Sequence, residues 1–362
     1  MVRCMNVNKV VSRDESLALK GVMIILMYIF HFFGNGDYLV YSEYVTLFPF
    51  SDMWVGGGDL CLSIGAFVSG YGLYLAYLGG DRKPVSLRIL DFLIPYWLVT
   101  FLVSMPGLAL LGKLDLRDFP VNILAWLFND SVLYILFSWW VKVHFMYLCV
   151  LPLVRFLSGK MHSVWVEVLF FIVVPIYFSW GLPCDEYKFN GIVDSLVSSL
   201  STLMHWFPCF SVGHIFAKYG FPGRRSCGFK KFMRVIPYVL CPFGMVLSLA
   251  VAQQDDGRTY YFLFTAFFVI CFDVLYRQIS EDFGCRFLLL KWLGKHSYMY
   301  WLLSGLFFLK FRELQWVLFW PKYSVLILVW GFLLLAGPAV LLGRLSGWIC
   351  RRLDRWWMGE KA

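Results

Sequence analysis

KGVMIILMYIFH, residues Lys20 to His31, sets ten apolar or small residues between a lysine and a histidine. The run follows Arg13, Asp14 and Glu15. It reads as a transmembrane helix, because a helix satisfies its own backbone inside lipid. Ionisable groups within such a helix are rare and carry function by default. Eleven residues at about 100° each return the side chain to about 20° from its start, about 16 Å along the axis. Lys20 and His31 are therefore expected on one face, serving one site from two depths.

The rest of the chain agrees with a lipid environment. Of 362 residues, 60% are hydrophobic and 15% charged, and the mean hydropathy is +0.69. This balance excludes an ordinary soluble domain. A formal net charge of +9 by itself fits a nucleic-acid binder, but the uninterrupted apolar segments argue against nucleic acid and for membrane topology. The 10 Cys are scattered without a CxxC pair, and most fall in apolar segments, which indicates neither a disulfide framework nor a zinc site. The first apolar run lacks a small-x-small cleavage site after it and reads as a retained anchor.

Apolar windows give about ten spans of the usual length of about 20 residues. They lie near 16–34, 53–79, 87–111, 131–154, 163–180, 193–217, 232–251, 260–279, 288–309 and 323–350. Lys291, Lys295 and His296 interrupt the ninth. The sixth carries Asp194, Ser198, Ser199, Ser201 and His205, as a helix lining a cavity does. With the N-terminus inside, the inner segments collect most of the Lys and Arg, including Arg82, Lys83, Arg88, Lys218, Arg224, Arg225, Lys230, Lys231, Arg351, Arg352 and Arg355. The segment 35–52, which carries Asp37, Glu43 and Asp52, has no Lys or Arg and falls outside. Both termini are accordingly expected in the cytoplasm. The fold expected is all-α, a polytopic integral-membrane bundle forming a single domain over 1–362, with no separate soluble domain.

Several motifs run in order along these spans. Lys20-x10-His31 comes first. Ser69-Gly70-Tyr71 follows in the second span, and Arg88 leads to Ile94-Pro95-Tyr96-Trp97 in the third. Trp139-Trp140 with Tyr147 and Pro152 falls in the fourth, Pro208-x-Phe210-x-x-Gly213 in the sixth, and Leu293-Gly294-x-x-Ser297-Tyr298 in the ninth. Each motif alone is common in membrane proteins. Together, and at this spacing, they resemble the membrane-bound acyltransferase 3 family of integral-membrane O-acyltransferases that act mainly on cell-surface glycans. The chain departs from the family pattern at Lys20, where the family usually has Arg, at Asp91, where a second Arg is frequent, and at Ser304, where many members carry His. Exchanging Arg for Lys replaces a planar two-pronged donor by a point charge.

The resemblance implies transfer of an acyl group, acetyl from acetyl-CoA, to a hydroxyl of a glycan or lipid-linked saccharide at a bacterial cytoplasmic membrane, with acyl-CoA as co-substrate and no tightly bound cofactor or metal. It assigns His31 as the base that takes a proton from the acceptor hydroxyl, chemistry suited to a neutral imidazole. Lys20 joins it in the catalytic pair, and Arg88 is expected to meet the anionic donor at the inner face. Tyr71, Trp140 and His205 are the remaining substrate-binding candidates. His144, His214 and His296 read as structural, and Asp59, Asp194 and Asp273 are unranked. Ser69 lacks an adjacent base, and Gly70 with Gly72 reads as a helix-packing site. Two other functions fit the same composition: a transporter or flippase of a lipid-linked saccharide, disfavoured because no inverted repeat is evident, and a non-catalytic sensor on the same fold.

Overall fold

A computed structural model describes residues 11–34, 57–80, 83–113, 138–181, 192–220, 236–254, 260–309 and 311–359. Among them are α1 (Arg13–Ile29), α2 (Gly57–Leu78), α3 (Val85–Val99), α4 (Met105–Leu110) and α5 (Ser138–Lys160). There follow α6 (Val164–Val168), α7 (Val174–Gly181), α8 (Ile192–Tyr219) and α9 (Ile236–Gln254). The last are α10 (Tyr261–Phe283), α11 (Leu288–Leu309), α12 (Gln315–Phe319) and α13 (Ser324–Met358). No strand occurs among the described residues. Six helical stretches there are long and apolar enough to cross a membrane: Arg13–Phe33, Leu60–Leu78, Val85–Leu110, Trp140–Lys160, Tyr261–Phe283 and Ser324–Trp357. The side chains of Asp59, Trp139 and Asp194, the acidic segment 35–52 and the basic cluster Arg224 to Arg234 lie outside the description.

The outer surface carries apolar side chains of the kind a soluble protein buries. On α13, Leu326, Val329, Leu333 and Leu341 are exposed, as are Val239, Leu240 and Phe243 on α9. Such a surface is satisfied by lipid. One hydrophobic core runs through α1, α2, α3, α5, α8, α10, α11 and α13, with Tyr28, Phe67, Tyr147, Phe210, Phe268 and Tyr300 among its largest members.

Two close crossings set this arrangement, and each is made by paired glycines. Where α1 meets α11, a Cβ on Gly21 would overlap the Leu290 carbonyl and one on Gly294 the Leu17 carbonyl. Where α2 meets α8, a Cβ on Gly70 would overlap the Phe210 carbonyl and one on Gly213 the Phe67 carbonyl. Without hydrophobic attraction between helices in lipid, such backbone approach supplies the packing. Gly72 faces open space, so the packing role expected of the Gly70 and Gly72 pair falls on Gly70 alone.

α1 opens with a capping box. The Ser12 hydroxyl accepts from the Glu15 backbone N–H at 3.2 Å, and the Glu15 carboxylate accepts from the Ser12 N–H at 2.5 Å. These bonds satisfy amides that a helix start leaves open. Several helix ends meet on the side where α1 begins. Lys291 at the start of α11 pairs with Asp14 at 2.7 Å. Lys83, before α3, pairs with Asp91 at 2.6 Å and with Asp354 near the end of α13 at 2.7 Å. At the end of α8, Lys218 donates to the Ser158 carbonyl at 2.7 Å near the end of α5.

Candidate functional site

α1 carries both first-ranked residues, but its pitch changes between them. Residues Phe30–Gly34 form a π-helical turn, entered where the Phe30 N–H is shared by the Leu26 and Met27 carbonyls. The 100° step therefore holds only to Ile29, and the angular match expected for a straight α-helix does not extend to His31. π turns within α-helices are enriched at functional sites. The His31 ring is buried, 8% exposed, and meets Phe30 edge to face at 5.2 Å between centroids. Close by, Tyr28 donates to the Tyr300 carbonyl at 3.2 Å and stacks on Phe332 at 4.3 Å.

Lys20 sits in the other half of α1, within electrostatic range of His144 on α5. The His144 ring stacks on Phe92 of α3 at 4.1 Å, and Phe92 stacks on Tyr298 of α11 at 4.9 Å. The Tyr298 hydroxyl donates to the Phe92 carbonyl at 3.0 Å, tying α11 to α3. Helices α3, α5 and α11 thus meet at Phe92. Lys83, Lys218, Arg277 and Lys291 each hold a carboxylate, whereas no described carboxylate pairs with Lys20.

Between these two depths lies an aromatic layer. Trp140 is buried, and its Cζ2 approaches Gly65 of α2 at the level where Met23 of α1 also approaches it. Its ring is perpendicular to Trp206 at 6.0 Å, and Trp206 stacks on Tyr261 at 5.7 Å. His205 joins this layer, 6.1 Å from Tyr261 between centroids. Trp140 and His205 are therefore in one neighbourhood.

Tyr71 and Arg88 are elsewhere. The Tyr71 hydroxyl accepts from the Val11 N–H at 2.6 Å, beside a small cavity lined also by Glu15, Leu19, Phe67 and Asp273. Arg88 donates from Nε to the Lys83 carbonyl at 3.3 Å, one turn before Phe92 on α3. Asp91, the departure from a two-arginine pattern, holds Lys83. Burial alone would lower the Lys83 ammonium, but hydrogen bonds to Asp354 and Asp91 and their charges outweigh it and keep its pKa above the ordinary value. Asp273 pairs with Arg277 at 2.7 Å. Ser304 is buried, with its hydroxyl donating to the Trp301 carbonyl at 3.0 Å. The Ser69 hydroxyl donates to the Gly65 carbonyl at 2.8 Å, a bond within its own helix.

Two features escaped the sequence reading. Lys142 is buried on α5, 5% exposed; the signal was a lone lysine inside an apolar run. The second is a polar knot joining α5, α6 and α8. The Ser158 hydroxyl donates to Glu167 at 2.9 Å and lies 2.9 Å from His214 Nε2, while Lys218 donates to Ser158, to the Met161 carbonyl and to Glu167. The Ser158 proton is committed to a carboxylate that can only accept, so His214 Nε2 acts as the donor. That polarity is the reverse of a nucleophile–base pair. No group of three or more metal-ligating side chains occurs among the described residues.

No family model matches the chain, and no curated protein or solved structure matches it.

Proposed function

We propose that this chain is a membrane O-acyltransferase that moves an acyl group, acetyl from acetyl-CoA, to a hydroxyl of a cell-surface glycan or lipid-linked saccharide. The observation that carries the reading is the pairing on one membrane-type helix of a buried His in a π turn with a lysine that no described carboxylate neutralises. An ammonium placed among helices without a counter-charge is costly, and an anionic or carbonyl-rich ligand relieves that cost. The glycines of three motifs shared with acyltransferase 3 members, Gly70, Gly213 and Gly294, are the helix-crossing points, which supports the resemblance at the level of packing.

In this mechanism His31 takes the proton of the acceptor hydroxyl as its oxygen attacks the thioester carbonyl. The carbon–sulfur bond then breaks, and the CoA thiolate leaves and is protonated. About ten spans with both termini in the cytoplasm of a bacterial inner membrane put the basic segments, Arg88 among them, on the side where the nucleotide of CoA remains.

The test is thioester loss from acetyl-CoA by the protein in lipid nanodiscs, with a glycan extract from its host as acceptor. Acceptor-dependent loss in wild type and none in His31→Ala at equal folded yield is the expected result. Equal background in both proteins moves the assignment to transport or sensing.

A further inference from the structure

We propose that the last turns of α13 bind an anionic phospholipid, with Arg351, Arg352 and Arg355 meeting its phosphate and Trp348, Leu345 and Leu341 lying along its glycerol and acyl chains. The inference uses the membrane reading alone and stands apart from the acyl-transfer proposal.

One face of α13 changes chemistry with depth. At about 100° per residue, Leu341, Leu345, Trp348 and Arg352 fall within about 60° of one another, with Arg351 and Arg355 on one flank. All six side chains are exposed. The other side of the helix is the packed one, where Leu342 and Ser346 are buried and Asp354 holds Lys83. A hydrocarbon core takes up about 20 residues of helix, so a core entered at Ser324 ends near Arg344. That places Leu341 in hydrocarbon, Trp348 at the interface and the three arginines in the headgroup layer.

Two of the arginines are folded back toward the lipid. The Arg352 guanidinium lies over the Trp348 ring, 4.4 Å from its centroid. Arg351 reaches back in the same way, and a Cβ on Gly347 would stand 3.4 Å from its guanidinium nitrogen. The absent side chain at Gly347 leaves that guanidinium room to lie along the helix. No described carboxylate pairs with Arg351, Arg352 or Arg355. Their charge is open to an anion from outside the chain.

The continuity of the face selects an amphiphile. Guanidinium forks bond phosphate oxygens in pairs, but a free phosphate leaves Leu341, Leu345 and Trp348 with nothing to cover them. A phospholipid answers both halves of the face at once.

The test is native mass spectrometry of the full chain in detergent, titrated with phosphatidylglycerol or phosphatidylcholine. Wild type should bind phosphatidylglycerol the more tightly. Each arginine at an anionic lipid surface contributes about fivefold, so Arg351→Gln with Arg352→Gln should weaken phosphatidylglycerol by about 30-fold and leave phosphatidylcholine unchanged. Trp348→Leu keeps the charge but removes the ring under Arg352, and should weaken phosphatidylglycerol by about two- to fivefold. Arg13→Gln with Arg286→Gln removes the same charge from exposed positions on the same side and should retain wild-type binding. Equal affinity for the two lipids, or an equal loss in this control pair, would reduce the face to diffuse positive charge and overturn the site. Displacement of phosphatidylglycerol by an equal concentration of soluble glycerophosphoglycerol or of CoA would overturn the lipid as its occupant.

Discussion

A buried charge reveals its function by what surrounds it, and two lysines of this chain make the comparison. Lys218 meets the Glu167 carboxylate, which is 0% exposed, and also reaches carbonyls of Ser158 and Met161. Lys20 meets no described carboxylate. The first is a structural group; under the proposed function the second meets a ligand. Lys218→Met strands a buried carboxylate and should destabilise the protein by about 3–5 kcal/mol. Glu167→Gln leaves Lys218 its carbonyl partners and should cost less, about 1–3 kcal/mol. Thermal unfolding of the two variants in one detergent would check this order, and equal melting temperatures would contradict it. Lys20→Met, in contrast, removes an ammonium with no fixed counter-charge and should keep the melting temperature while abolishing acyl transfer. A variant melting well below wild type would make Lys20 a structural residue as well.

At the scale of elements, the bundle is organised by four glycines at two helix crossings. Gly70→Ala and Gly294→Ala drive a methyl into a backbone carbonyl that no rotamer change can move. Overpacking of this kind costs about 1–3 kcal/mol or more. Gly72→Ala, three or fewer residues from a crossing yet facing open space, should shift the melting temperature by no more than its scatter. A Gly72 effect as large as that of Gly70 would remove the crossing as the explanation. These glycines also mark how far the sequence could be read. Hydropathy located the helices well: the window 288–309 coincides with α11, and 260–279 falls inside Tyr261–Phe283 apart from one residue at its start. Hydropathy is blind to helical pitch, so the π turn that carries His31 was not legible. The stack of His144 on Phe92 joins residues of different helices, and no periodicity within one helix reports such a neighbour. His144 accordingly read as a structural histidine, although Trp140 and Tyr147 on either side already defined its face of α5. The Ser12-x-x-Glu15 capping box at the start of the decisive helix, in contrast, carries a sequence signature that the sequence analysis passed over.

For the whole molecule, the question is which face of the membrane holds the side where α1 begins. Lys83 ties the starts of α3 and the end of α13 together there, and its raised pKa gives the seam a pH signature. The stabilisation is fully present below the ordinary lysine pKa of 10.5 and is lost as pH rises through the higher folded value. Wild type should therefore lose melting temperature above that pH more steeply than Lys83→Met, and parallel curves would deny the seam its role. The seam also carries the topology. α13 has 35 residues, about 52 Å of helix against a hydrocarbon core of about 30 Å. Its last turns, with exposed Arg351, Arg352 and Arg355, therefore project beyond the lipid. Arginines bias such ends toward the cytoplasm, and the exposed Cys285 between α10 and α11 should share that compartment. Cys184 lies outside the described residues; the span order expected from the sequence assigns it to the opposite face. Two single-cysteine variants resolve the orientation. A membrane-impermeant maleimide added to intact cells with a permeable outer membrane should label Cys184 and spare Cys285, and disruption of the inner membrane should expose Cys285. The opposite pattern would put the basic ends outside, away from cytoplasmic acyl-CoA, and would remove the route by which the donor enters.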